Sequence, residues 1–182
     1  VNIESVNLDH SPNAPKELYM CPDSSIIIGG SVTTNNSAQV FLARVNQPEH
    51  DDEIALYGNE FVSEHFSDLI VFPNRDIVFC GDTNQGHFKT AWLEHVGEDL
   101  APKNRIYDLG MGTAEYELMV PVDESSFMVL GITQTHVDSS DVQLTLTKVS
   151  LPLAIEKQQF NMPSSANLAS VYPNPFNSDT KI

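Results

Sequence analysis

Pro22-Asp23-Ser24-Ser25-Ile26-Ile27-Ile28-Gly29-Gly30 is a turn followed by an apolar run that closes on glycine. The same figure returns at Pro73-Asn74-Arg75-Asp76-Ile77-Val78-Phe79-Cys80-Gly81. It returns again at Val122-Asp123-Glu124-Ser125-Ser126-Phe127-Met128-Val129-Leu130-Gly131. Gly30, Gly81 and Gly131 are separated by 51 and 50 residues. Repetition at a fixed period is the signature of a repeat architecture. Asp, Asn and Ser supply each turn through hydrogen bonds to nearby backbone. The apolar run after it reads as a strand buried on both faces.

Outward from each run the pattern continues. A short strand precedes each turn: Glu17-Leu18-Tyr19-Met20, Asp68-Leu69-Ile70-Val71-Phe72 and Glu117-Leu118-Met119-Val120. A polar loop follows each glycine, and then a third strand: Leu42-Ala43-Arg44-Val45, Leu93-Glu94-His95-Val96 and Leu146-Thr147-Lys148-Val149. A fourth, weaker strand is expected near Ile54, Arg105 and Ile155. No apolar i, i+3, i+4 stripe is sustained for three turns, so helices are not expected. Four antiparallel strands in sequential hairpins make one blade of a β-propeller. The expectation is an all-β chain of three such blades, over residues 16–62, 63–114 and 115–160 of a repeat region 1–160. A β-sandwich is the alternative. Three blades leave two open edges, so further blades or self-association are expected. Val1 to Leu8 read as the outer strand of an earlier blade, and the Pro/Ser/Ala/Asn-rich residues 161–170 as a linker.

The chain carries 25 Asp and Glu against 9 Lys and Arg, a net charge of −16. Such a surface repels phosphate backbones and anionic lipid, which argues against nucleic-acid or membrane-surface partners. No run approaches the ~20 apolar residues of a membrane span. Two cysteines, Cys21 and Cys80, are too few for a disulfide framework and read as buried thiols. The chain starts at Val1 and shows no export signal, so a mature or cut N-terminus of a longer precursor is expected.

Two resemblances add to this. Tyr172-Pro173-Asn174-Pro175-Phe176-Asn177, followed by Thr180-Lys181-Ile182, resembles the opening of a C-terminal sorting domain of the type IX secretion system of Bacteroidetes and related bacteria. The resemblance covers residues 171–182 and implies export to the outer cell surface or medium, with the type IX machinery as a partner. The repeat itself resembles bacterial extracellular propeller repeats. Those carry an aromatic-Gly-Gly outer end, an acidic inner strand, a D-G-G/S turn, an apolar strand ending in Gly-Ser/Thr and a Leu-x-Lys-hydrophobic strand. Leu56-Tyr57-Gly58, Asp108-Leu109-Gly110, Asp23-Ser24-Ser25 and Gly30-Ser31 occupy those places. The chain departs from the pattern in having Ser or Arg where the turn often has Gly.

Little in the sequence carries chemistry. His10, His50, His65, His87, His95 and His136 are scattered. His95 stands where the other copies have Arg44 and Lys148, and is expected to face solvent. His87 reads as a surface-loop residue. Metal-protease, nucleophile-elbow and phosphate-loop patterns are missing from the sequence. Glu49, Asp51, Asp52 and Glu53, or Asp138 and Asp141, lack the alternation and glycine of a calcium loop. Asn35-Asn36-Ser37 has the form of a glycosylation sequon. Trp92 is expected to pack in the core. No catalytic, cofactor or metal residue is assigned. The expected function is a secreted or surface-attached binding or adhesion module for an extracellular protein or glycan. The alternatives are the non-catalytic part of a secreted hydrolase and a structural surface or filament component.

Overall fold

The computed structural model of the chain describes residues 13–34, 37–45, 52–58, 61–85, 88–107, 113–134, 142–151 and 154–156. These form strands without a helix. The first sheet holds β1 (Asn13–Met20), β2 (Ile26–Thr34), β3 (Ser37–Val45) and β4 (Glu53–Tyr57). The second holds β5 (Ser63–Val71), β6 (Ile77–Gln85), β7 (Phe88–Val96) and β8 (Pro102–Tyr107). The third holds β9 (Thr113–Pro121), β10 (Ser126–Gln134), β11 (Val142–Ser150) and β12 (Ala154–Glu156). Each sheet is an antiparallel meander in sequence order.

The sequence repeat is a register repeat. Ile26, Ile77 and Phe127 pair with Val45, Val96 and Val149 on the third strand of their sheets. Gly30, Gly81 and Gly131 pair with Pro15, Phe66 and Tyr116 on the first strand. Immediately beyond that pair the first strand carries one extra residue: Lys16, Ser67 or Glu117. Such a bulge bends its strand and re-aims the backbone. Here it presses a carbonyl onto the glycine opposite. A Cβ on Gly30 or Gly81 would collide with the oxygen of Ala14 or His65, and one on Gly131 would lie 2.7 Å from the Glu115 oxygen. The recurring glycine is therefore set by close backbone approach. The bulge also lets the first strand run on, so β1 and β9 begin N-terminal of residues 16 and 115, where the sequence pattern starts.

The turns close as the Asx chemistry requires. Asp23 Oδ1 accepts from the Ser25 N–H at 2.9 Å, and Asp123 Oδ1 from the Ser125 N–H at 2.9 Å. Ser24 and Arg75 take φ of 69° and 66°, at the position where the resembling repeats use glycine. A left-handed non-glycine residue costs roughly 1–2 kcal/mol, partly offset by the greater unfolded-state freedom of glycine. Ser24→Gly is expected to stabilise the protein by about 0.5 kcal/mol, read from urea unfolding midpoints. A loss of stability would mean that the turn does not hold Ser24 in that conformation.

The sheets pack face to face in chain order. β5 lies across β1, β2 and β3, and β9 lies across β5, β6 and β7; among the described residues the first and third sheets do not touch. Alternation divides the second sheet between two cores. Phe66, Ile77, Phe79, Trp92 and Val96 pack with Ile27, Val40, Leu42 and Tyr57 of the first sheet. Val78, Cys80, Ala91 and Leu93 pack with Tyr116, Met119, Phe127 and Val129 of the third. Phe79 is the hub of the first core, with ring contacts to Tyr57, Phe66 and Trp92. The expectation of a middle strand buried on both faces holds for β6. It fails for β10, where Leu130 is exposed because, among the described residues, no other sheet packs on that face of the third sheet.

Candidate functional site

The second sheet, covered on both faces, has to bury charge. Glu64 on β5, Glu94 on β7 and Arg105 on β8 form a triad beside Trp92. Arg105 Nη2 donates to Glu64 Oε2 at 2.5 Å, and both carboxylates are almost wholly buried. Arg105 Nε lies 3.2 Å from Glu94 Oε2, but neither atom makes an aligned hydrogen bond, so that contact is coulombic. The guanidinium sits 4.5 Å over the Trp92 ring and 5.2 Å from that of Tyr107. Burial raises the Glu94 pKa, Arg105 opposes the rise and Glu64 adds to it. Tyr57 closes the site by donating its hydroxyl to the Leu100 carbonyl at 2.7 Å. The triad joins the first-sheet side of the second sheet to its outer strand.

A carboxylate whose folded pKa is raised takes up protons on folding. Stability from that group is therefore lost as pH rises from the unfolded carboxylate value through the folded one. Glu94→Gln removes this dependence. The variant is expected to gain stability relative to the parent between pH 4.5 and pH 7 in chemical denaturation. A difference that does not change with pH would contradict the burial of the Glu94 charge.

A second cluster lies at the turn end. Asp76 Oδ2 is 2.9 Å from His95 Nε2, and Asp76 Oδ1 accepts from Lys103 Nζ at 2.5 Å. Burial would raise the Asp76 pKa, but the Lys103 and His95 contacts outweigh it and hold it below the usual carboxylate range. This corrects the expectation that His95 faces solvent: it is buried, because the Asp76 side chain and the β7–β8 pairing enclose it. Arg44, its counterpart, is buried too.

The third cluster spans two sheets at the opposite end, near the loop after Gly81. His65 Nδ1 lies 3.3 Å from Asp82 Oδ1, and Lys89 Nζ lies 3.8 Å from Asp82 and 3.0 Å from Glu115 on β9. His65 and Lys89 are partly open to solvent, so this rim offers donors and an acceptor to a polar ligand. Nearby, Asp68 accepts from the Leu69 N–H at 2.8 Å and from the Met119 N–H of the third sheet at 2.6 Å. Asp68 thus ties β5 to β9 at the bulge.

Cys21 and Cys80 are both buried free thiols, and burial pushes the Cys80 thiol far up. Trp92 is fully buried, as expected. The Tyr172, Pro173, Asn174, Pro175, Phe176 and Asn177 motif lies outside the described residues, as do His10, His50, His87, His136, Glu49, Asp51, Asp138 and Asp141. Asp52 and Glu53 are exposed, and Glu53 begins β4. Among the described residues no three His, Cys, Asp or Glu side chains gather in a metal-ligand group. Sequence reasoning missed the Glu64–Glu94–Arg105 triad. A signal was present, since charged residues on both faces of a sheet flanked by repeats must find partners. No protein-family model matches the chain, and no curated protein is detectably similar to it.

Proposed function

We propose that the chain forms blades of a β-propeller that acts as a secreted or surface-attached binding module, exported by a type IX secretion system. The observation that carries the architecture is the in-register recurrence of one four-stranded meander. Each carries a bulge against its glycine, and each of the second and third lays its first strand across the sheet before it. In a propeller that strand is the innermost, and rotation from sheet to sheet closes the ring. The export reading rests on Tyr172-Pro173-Asn174-Pro175-Phe176-Asn177. The ligand class is an extracellular protein or glycan, met at the rim where His65, Asp82, Lys89 and Glu115 converge. A surface of net charge −16 suits an exposed soluble module and disfavours polyanions.

Cell fractionation of a producing bacterium tests the export reading. The protein is expected at the surface or in the medium, and in the periplasm when the type IX machinery is disabled. Export that persists without that machinery would overturn it. Glycan and surface-protein arrays, probed with the parent and with Lys89→Ala, test the rim. Binding that weakens in the variant supports the reading, and binding that does not change places the ligand elsewhere.

A further inference from the structure

We infer that the open face of the third sheet is the seat for the first sheet of a second copy of this chain, and that two copies close on each other into a ring of six sheets. The inference rests on the propeller reading for closure, and on repeat-equivalent packing for the contact itself.

Each inter-sheet contact is built from a slot and a key. The slot stands on the middle strand one residue before the repeat glycine: Gly29, Cys80 or Leu130. These pair with Leu42, Leu93 and Leu146 respectively. The key stands on the first strand of the next sheet, opposite its own repeat glycine. At the first contact the ring of Phe66 occupies the space a Cβ on Gly29 would need. At the second, Cys80 shares a core with Tyr116. The glycine slot receives a large ring, and the small Cys80 slot lies in the same core as the ring of the next sheet. On the third sheet Leu130 fills the slot with its own side chain, so an aromatic key no longer fits. The small unused key in the molecule is Pro15, on the first sheet.

A second position changes in the same sense. Lys89 on β7 pairs with Glu115 on β9 across the second contact. At the Lys89 position the third sheet has Val142, and at the Glu115 position the first sheet has Ala14. An ion pair is replaced by an apolar pair, on both sides at once.

Both surfaces are bare where their equivalents are covered. Leu144 and Leu146 are 60% and 45% exposed, whereas Ala91 and Leu93 at the same positions of the second sheet are 0% exposed. Leu18 is 58% exposed, whereas Leu69 and Met119 at its position are 6% and 5% exposed. A contiguous apolar face of this kind marks an interface. A head-to-tail contact gives a closed ring when its rotation closes and an open filament when it does not. Two copies give six blades, within the four to eight that propellers use, and three copies exceed it.

Sedimentation equilibrium of the full chain, in moderate salt to screen its negative charge, reads the result. A discrete species of twice the 20.1 kDa chain mass is expected. Leu144→Asp is expected to return it to single mass with an unchanged circular dichroism spectrum. Pro15→Tyr and Leu130→Cys are each expected to weaken pairing by about tenfold or more, a loss of ~1.4 kcal/mol. The double variant, which copies the Cys80 and Tyr116 side chains of the second inter-sheet contact, is expected to recover most of it. A monomer at all concentrations overturns the pairing, whatever covers Leu144. A ladder of growing polymers overturns closure and with it the propeller reading. A dimer indifferent to Leu144→Asp and to the Pro15/Leu130 pair overturns the seat.

Discussion

Gly81→Ala is expected to destabilise the protein by about 3 kcal/mol, at the upper end of overpacking costs. The added methyl would strike the His65 carbonyl oxygen, and Trp92 Cζ2 would lie 2.6 Å away. Neither obstacle can give way freely. The carbonyl belongs to the backbone at a bulge, and Trp92 is fully buried. At this chain length the loss corresponds to a fall in melting temperature of roughly 6–12 °C. Gly97→Ala is the control, since the nearest atom to its Cβ is the end of the flexible Asp99 side chain. Its effect is expected to stay within roughly 1 kcal/mol. Calorimetry of the two variants compares them. Equal shifts would mean that the bulge does not press on the repeat glycine.

The second large effect concerns charge. Arg105→Met leaves the Glu64 and Glu94 carboxylates buried without their counter-ion. Removing one partner of a buried ion pair costs about 3–5 kcal/mol. The loss is expected in full at pH 7. It should shrink toward pH 4, because burial already raises the Glu94 pKa and losing Arg105 removes what opposes that rise, so stability lost above that range is regained below it. Glu64→Gln and Glu94→Gln added to Arg105→Met remove both charges and are expected to restore most of the stability at pH 7. Urea unfolding across this pH range measures both. A loss at pH 7 that persists unchanged at pH 4 would assign the effect to lost packing on Trp92 and not to charge.

The parts of the fold legible in the sequence are those that repeat. The turns at Asp23, Asn74 and Asp123, the apolar runs and the glycines recur in register, and the strands paired with them follow. Other features lie in the differences between copies. Lys16, Ser67 and Glu117 share a bulge but no side-chain chemistry, so no residue type announces it. His95, Arg44 and Lys148 share a position, and alternation reads it as wet. The sheet packed against it makes it dry in both the first and the second sheet, and in the second Asp76 then becomes the partner of His95. The sequence signals that Glu64 and Glu94 need partners but not which, because they stand thirty residues apart and are joined only when β8 brings Arg105 alongside. The position Gly29, Cys80 and Leu130 varies because each must fit a different neighbour.

In the proposed propeller, successive four-stranded sheets stack with a rotation that closes a ring. Small-angle X-ray scattering of the purified protein tests it most directly. The pair-distance distribution of a flat, closed disc with a central depletion of density is expected. A rod-like distribution that lengthens with association, or the compact profile of a two-layer sandwich, would contradict it.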